Sequence, residues 1–162
     1  MIFDHRVHVN APVERVWAFL GDMPAVSRCV PGVQSFTPID ENTFEGSLKL
    51  RVGPIGVTLR GRAVVVERDE PNLQSRLEVS AVDERVASNV KAKTTMTLTA
   101  HGPETTELHI YTDASVLGKL GEFGQPVLRR KADQVIREFS DNVSRELAKP
   151  AEEARVDASR RG

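Results

Sequence analysis

The stretch from Gly118 to Leu147 constrains the fold more than any other part of the chain. Leu120, Phe123, Val127, Leu128, Ala132, Val135, Ile136, Phe139, Val143 and Leu147 recur there at steps of three and four. This spacing gathers them into one apolar stripe on a helix, with Arg129, Arg130, Asp133, Arg137, Glu138, Asp141, Arg145 and Glu146 on the other face. A helix of ~30 residues is ~45 Å long and cannot bury such a stripe on itself. It needs a broad apolar cover. Nearly everything between Val33 and Val116 reads as strand, so the expected cover is a sheet.

The remaining elements follow in order. Residues 2–10 alternate, with Phe3, Val7 and Val9 on one face and Asp4, Arg6 and His8 on the other, as in a strand with one wet face. Asn10-Ala11-Pro12 ends that strand. Asn10 is a candidate cap for a helix carrying Val13, Val16, Trp17 and Leu20 on one side. Asp22 or Met23 opens a second short helix that runs to Cys29. Six strands are then expected, at 33–39, 43–52, 57–68, 73–83, 86–100 and 106–116, separated by turn residues such as Gly53-Pro54, Glu70-Pro71-Asn72 and His101-Gly102-Pro103. Short connections make neighbouring strands antiparallel. The fold class is therefore α+β: a seven-stranded curved antiparallel sheet wrapped around a long C-terminal helix, with two short helices after the first strand. Residues 1–147 read as one domain and 148–162 as a flexible tail, since apolar periodicity is lost at Pro150.

Composition narrows the function. The 22 basic and 23 acidic side chains nearly cancel, which argues against binding driven by phosphate neutralisation. With 6 Phe, 1 Trp and 1 Tyr there is little material for stacking nucleic-acid bases. The single cysteine, Cys29, excludes an internal disulfide and a cysteine metal cluster. No window holds the ~18 consecutive apolar residues of a membrane span, and the N-terminus lacks an apolar signal core. An intracellular chain is expected, with peripheral membrane contact left open.

Several short words resemble a known family. VNAPVERVWAFLGD (residues 9–22) is similar to the first strand and helix of the START-like (SRPBCC), helix-grip superfamily. Cys29-Val30-Pro31-Gly32-Val33, the pair Gly46 and Gly53-Pro54-Ile55, and Val116-Leu117-Gly118-Lys119-Leu120-Gly121 resemble the CoxG family of carbon monoxide dehydrogenase subunits. The resemblance covers residues 1–147. It implies a hydrophobic cavity between sheet and helix. It also implies an accessory role beside a molybdenum-containing dehydrogenase at the inner face of the cytoplasmic membrane, with a lipid quinone as the molecule carried.

The residues themselves offer little catalytic chemistry. His5, His8, His101 and His109 have no partner at metal-ligand spacing, and no HExxH, CxxC, GxSxG or phosphate-loop pattern occurs. His5 shares a strand face with Phe3 and Val7 but reads best as an end-of-strand residue near solvent. Carboxylate pairs fall in turns or on the wet helix face, away from the partly dry setting that acid–base work needs. Thr94 and Thr112 are the polar residues expected inside. No metal, no intrinsic cofactor and no catalytic residue is expected.

The cavity lining expected from these patterns combines Leu120, Phe123, Gly124, Val127 and Leu128 of the helix with Leu48, Leu50, Leu59, Leu77, Val79, Met96, Leu98 and Ile110 of the sheet. Met23, Val26 and Val30 would form a lid. Gly118, Gly121, Gly124 and Pro126 disfavour a regular helix. They leave space for a ligand, or pack closely on the sheet, or form a loop with the helix starting at Pro126. Arg129 and Arg130 are candidates for contact with anionic headgroups or an acidic partner, against the alternative of a solvated helix face; the Lys131 stem falls near the cavity mouth. The expected function is a non-catalytic binder of a hydrophobic molecule, a quinone or other lipid. The alternatives are a recruitment or maturation module without ligand, and a cyclase- or lyase-like enzyme on the same fold.

Overall fold

The computed structural model describes residues 1–149. The chain opens with β1 (Ile2–Val9), α1 (Val13–Leu20) and α2 (Met23–Cys29). Six strands follow: β2 (Val33–Pro38), β3 (Thr43–Val52), β4 (Ile55–Asp69), β5 (Gln74–Asp83), β6 (Ser88–Gly102) and β7 (Thr105–Gly118). One turn of 3-10 helix (Gly121–Phe123) leads into α3 (Gly124–Ala148). All seven strands join one antiparallel sheet in the order β1-β7-β6-β5-β4-β3-β2. Each pair is a local hairpin except β1 with β7, which brings the two ends of the chain together. This is the helix-grip arrangement expected from the sequence.

Residues at alternate positions turn inward and meet across the strands in rows. Toward one end, Met96 and Ile110 pair next to His5, and Leu98 and Leu108 next to Val7. These large side chains pack with Val16, Trp17 and Leu20 of α1, Val26 and Cys29 of α2, and Phe139, Val143 and Leu147 of α3. Toward the other end Val52, Val57, Leu59 and Leu120 form a second, smaller cluster, joined by Phe123, Val127 and Leu128. Burying an apolar side chain fully is worth about 1.5–3 kcal/mol, so the first cluster carries most of the hydrophobic stabilisation.

α3 is fixed along β1 by a polar seam. Arg129 Nη1 donates to the Ile2 carbonyl at 2.7 Å, and His5 Nε2 lies 2.8 Å from Asp133 Oδ1. Ser140 Oγ donates to the His8 carbonyl at 3.1 Å, and the Asn10 N–H donates to Ser144 Oγ at 3.2 Å. Positions 129, 133, 140 and 144 share one side of a helix, so the seam and the apolar stripe are separate faces of the same element. At its far end α3 is held by Asn142 Nδ2 donating to the Cys29 carbonyl (2.9 Å) and by Arg15 Nη1 donating to the Leu147 carbonyl (2.6 Å).

Three local expectations need correction. The helix does not begin at Gly118 or at Pro126. Gly118 is the last residue of β7, with φ of 79°, and an added Cβ would sit 1.7 Å from the Ala87 carbonyl oxygen. Pro126 lies in the first turn of α3, where its missing N–H has no intrahelical partner to lose. Asn10 does not cap α1: the cap position is Pro12, without a side-chain bond, and Asn10 joins the α3 seam instead. Asp22 does cap α2, accepting from the Ala25 N–H at 3.2 Å. The region expected to be a tail enters the structure only at Ala148 and Lys149, and the rest of it lies outside the described residues.

The last residue of β5 is a buried carboxylate. Asp83 is 6% exposed and accepts from the main-chain N–H groups of Thr58 (2.8 Å) and Arg85 (3.0 Å). The Thr58 N–H foremost, then those of Arg85 and Val86 and the Arg85 charge, hold its carboxyl below the ordinary value of 3.8, against an opposing contribution from burial. A folded-state value below the unfolded one adds stability that is complete above the unfolded value and disappears as pH falls through the folded one. Asp83→Ala is therefore expected to lower the urea midpoint at pH 7. The gap to wild type should begin to narrow as pH falls below the ordinary value of 3.8 and close as it falls through the lowered folded-state one. A gap independent of pH would show that the loss comes from packing alone.

Candidate ligand-binding site

Between the two clusters the inward rows change character. One row reads Gly46, Gly61, Ala81, Val90, Val116, and the next reads Phe44, Ala63, Val79, Ala92, Ala114. Apart from Phe44 at the β3 end, these rows hold only glycine, alanine and valine; Ala81, Val90 and Val116 pack against the smaller cluster, and the others leave space open. The backbone of α3 comes nearest to β1 and α2, and less closely to β3. It therefore bridges the sheet near its two rims and stands off from the middle strands, where the small residues lie.

Two spaces result. An apolar pocket of about 270 Å³ lies between the α2 side of the molecule and strands β2 to β6. Met23, Val26 and Val30 form its cover, Phe36 and Phe44 a stacked wall with ring centroids 5.0 Å apart, and Leu48, Leu59, Gly61, Ala63, Val79, Ala81 and Val90 its floor. Among the described residues its polar lining is Ser27, Ser35, Ser47 and Arg62. A second, open space of about 880 Å³ lies against the start of α3, touching Gly121, Gly124, Gln125 and Leu128, and the sheet residues Val79, Ala92, Ala114 and Val116. Its lining includes Glu78, Lys91 and Lys93 from the polar sheet face, so the 880 Å³ extends beyond the gap between sheet and helix. Val79 lines both spaces.

The structure thus distributes the expected lining among different places. Met23, Val26, Val30, Leu48, Leu59 and Val79 surround the apolar pocket, while Gly124 and Leu128 border the larger space. Leu50 lies in a separate crevice with Lys131. Leu77, Met96, Leu98 and Ile110 are buried in the larger core cluster, and Leu120, Phe123 and Val127 pack in the smaller one. None of these seven lines the apolar pocket or the larger space as the described residues form them. The residues that make the void, Gly46, Gly61, Ala63, Ala81, Ala92 and Ala114, are small ones that selection by apolar bulk passes over. Thr94 and Thr112 do face inward, and their hydroxyls bond each other at 2.9 Å.

The candidate reactive groups lie elsewhere. His5 sits in the α3 seam, not at a wet strand end, and its side chain is only 15% exposed. His109 Nε2 lies 2.7 Å from Asp4 Oδ1 on the outer face. Cys29 is buried at the end of α2. Among the described residues no group of three or more His, Cys, Asp or Glu side chains is placed to hold a metal ion. Arg129 is engaged by Ile2, by Gln125 Oε1 at 3.2 Å and by the Phe3 ring at 5.6 Å, whereas Arg130 is exposed. No helix among the described residues is long and apolar enough to cross a membrane.

Comparison with solved structures places this geometry in a broad group. A conserved protein from Geobacillus kaustophilus superposes with a TM-score of 0.83 at 24% identity, covering 91% of this chain and 95% of that one. The Zhui aromatase/cyclase from Streptomyces sp. R1128 gives 0.65 at 16% identity, covering 91% and 93%. A START superfamily protein from Mycobacterium smegmatis gives 0.63 at 12% identity, covering 91% and 97%. At these identities the likeness shows the shared fold alone. A search of curated proteins finds no significant match. The model of CoxG, a family of carbon monoxide dehydrogenase subunits, matches residues 6–148, from within β1 to the end of α3, and the chain belongs to that family.

Proposed function

We propose that this protein is a non-catalytic carrier of a hydrophobic molecule, a lipid quinone being the first candidate, and that it serves a molybdenum carbon monoxide dehydrogenase-type enzyme at the membrane surface. The observation that carries this reading is the apolar pocket, whose lining among the described residues holds no carboxylate or imidazole. Acid–base turnover needs such groups within hydrogen-bond reach of the substrate, while retention of an apolar molecule needs only shape and burial. The pocket volume of about 270 Å³ lies just below the roughly 300–1,000 Å³ usual for small-molecule sites, and the adjoining space beyond Val79 offers room for a longer chain. Family membership supports the accessory role and the choice of partner class. The membrane link in this reading is peripheral.

Native mass spectrometry of freshly purified protein tests the reading. The expected spectrum contains a complex heavier than the chain by the mass of a quinone or other lipid, which organic solvent then extracts. A spectrum of empty protein, together with no uptake of added menaquinone or ubiquinone, would overturn it.

A further inference from the structure

Where the small-residue band meets the larger core cluster, one inward row carries hydroxyls. It reads Leu77, Thr94, Thr112, Phe3 across β5, β6, β7 and β1. The next inward positions on β6 and β7, Met96 and Ile110, are 6% and 5% exposed and belong to the core. Thr94 and Thr112 face the same way yet are only half-buried. On their other side, one inward step of ~7 Å along each strand, lie Ala92 and Ala114, which line the larger space. Ala92 pairs with Val79, the residue shared by the larger space and the apolar pocket. On α3, Leu128 lines the larger space, and Ala132, one turn further along, is half-buried too. The two threonines therefore stand at the end of the void, where the packed core begins.

The hydroxyls of the pair lie 2.9 Å apart, and either can donate to the other. That bond uses one of the two protons. The second O–H and the remaining lone pairs are left for a further partner. In an apolar void an unused O–H carries a desolvation cost, which an acceptor on a ligand removes. Leu77 and Phe3 flank the pair in its row, so a charged ligand group placed there would lose its water without gaining a counter-charge from that row.

We infer that the Thr94–Thr112 pair is the polar subsite of this cavity and donates a hydrogen bond to a carbonyl oxygen of a neutral ligand, whose apolar part lies over Ala92, Ala114 and Val79. The inference rests on the ligand-binding reading above and names the group recognised at that site, an uncharged acceptor such as a ketone or quinone oxygen. A hydroxyl also accepts, so the same pair takes the corresponding alcohol or hydroquinone by rotating its protons. A carrier built in this way keeps its cargo in either oxidation state.

Titration calorimetry of the full chain with benzophenone, benzhydrol and diphenylmethane tests it. The three probes share one shape and carry a carbonyl, a hydroxyl and a methylene at the same position. Thr94→Val/Thr112→Val replaces both hydroxyls by methyl groups in strands that favour valine, so the variant should melt at or above the wild-type temperature. In it the ketone and the alcohol should each lose about fivefold in affinity, while diphenylmethane stays within about twofold. Thr94→Ser/Thr112→Ser keeps the hydroxyls and should hold the ketone within about twofold of wild type. Unchanged affinities for all three probes in the valine variant would make the pair a sheet fastener and overturn the subsite, leaving the ligand-binding reading intact. An equal loss for all three, or a serine variant as weak as the valine one, would trace the effect to shape and likewise overturn the subsite. Binding of none of the three probes, nor of menaquinone, would overturn the subsite and the ligand-binding reading together.

Discussion

Val79→Trp is expected to abolish uptake of the hydrophobic ligand, with affinity falling by about 100-fold or more while the fold persists. Val79 lies centrally in the small-residue band and lines both the apolar pocket and the larger space beside α3. An indole there projects into room that the wild type leaves open. Overpacking a filled core costs about 1–3 kcal/mol, but at this site the added atoms take the ligand's volume first. The check is quinone or decanol titration together with far-ultraviolet circular dichroism and thermal melting. Leu98→Ala is the complementary variant. It deletes a buried core side chain outside the pocket lining, so it should cost about 2–5 kcal/mol of stability and leave affinity per folded molecule unchanged. A Val79→Trp protein that still binds ligand with wild-type affinity would show that the pocket is not where the molecule resides.

Gly61→Ala should cost about 3 kcal/mol of stability for a single added methyl group, by the scale of overpacked cores. Gly61 pairs with Gly46 on one side and Ala81 on the other. A Cβ at Gly61 would lie 1.9 Å from the Ser80 carbonyl oxygen and 2.6 Å from the Ala81 Cα. Both are main-chain atoms of the neighbouring strand, so no rotamer relieves the clash and the β4–β5 ladder must part. Gly56 offers the control, since a Cβ there meets nothing within 4 Å. Urea denaturation of the two alanine variants should separate them clearly. A Gly61→Ala midpoint equal to that of Gly56→Ala would mean that the sheet spreads at no cost.

The elements and their order were legible because their signals are local. Alternation in β3 and β5, turn words such as Glu70-Pro71-Asn72, and the three–four spacing from Val127 to Leu147 each fix an element without reference to the others. The start of α3 was less legible. Leu120 and Phe123 continue the helical spacing, but the chain first closes against the β5–β6 turn through Gly118 and then makes a 3-10 turn, a decision made by tertiary contact. Asn10 shows the same competition, its N–H being claimed by Ser144 from the far end of the sequence.

The cavity was only partly legible, for a different reason. Leu77, Met96, Leu98 and Ile110 point inward as the alternation says, and being large they meet partners and fill the core. Ala63, Ala81 and Ala92 point inward by the same alternation, and the space above them is what remains. Pattern reports direction; a void depends on how far each side chain reaches and where the opposite layer sits. The off-centre course of α3 along β1 supplies that second fact. It depends on side chains such as Arg129 and Asp133, which on a helical wheel belong to the wet face.

The seam between α3 and β1 also governs when the molecule can be completed during synthesis. β2 to β7 are joined by short hairpins, and each can pair as soon as its neighbour has been made. β1 is made before the other six strands, but its ladder partner is β7 and its seam partners extend to Ser144. Loop closure over such a separation is slow compared with hairpin formation. β1 therefore waits for β7, and the nascent sheet carries an unpaired β7 edge until β1 docks on it.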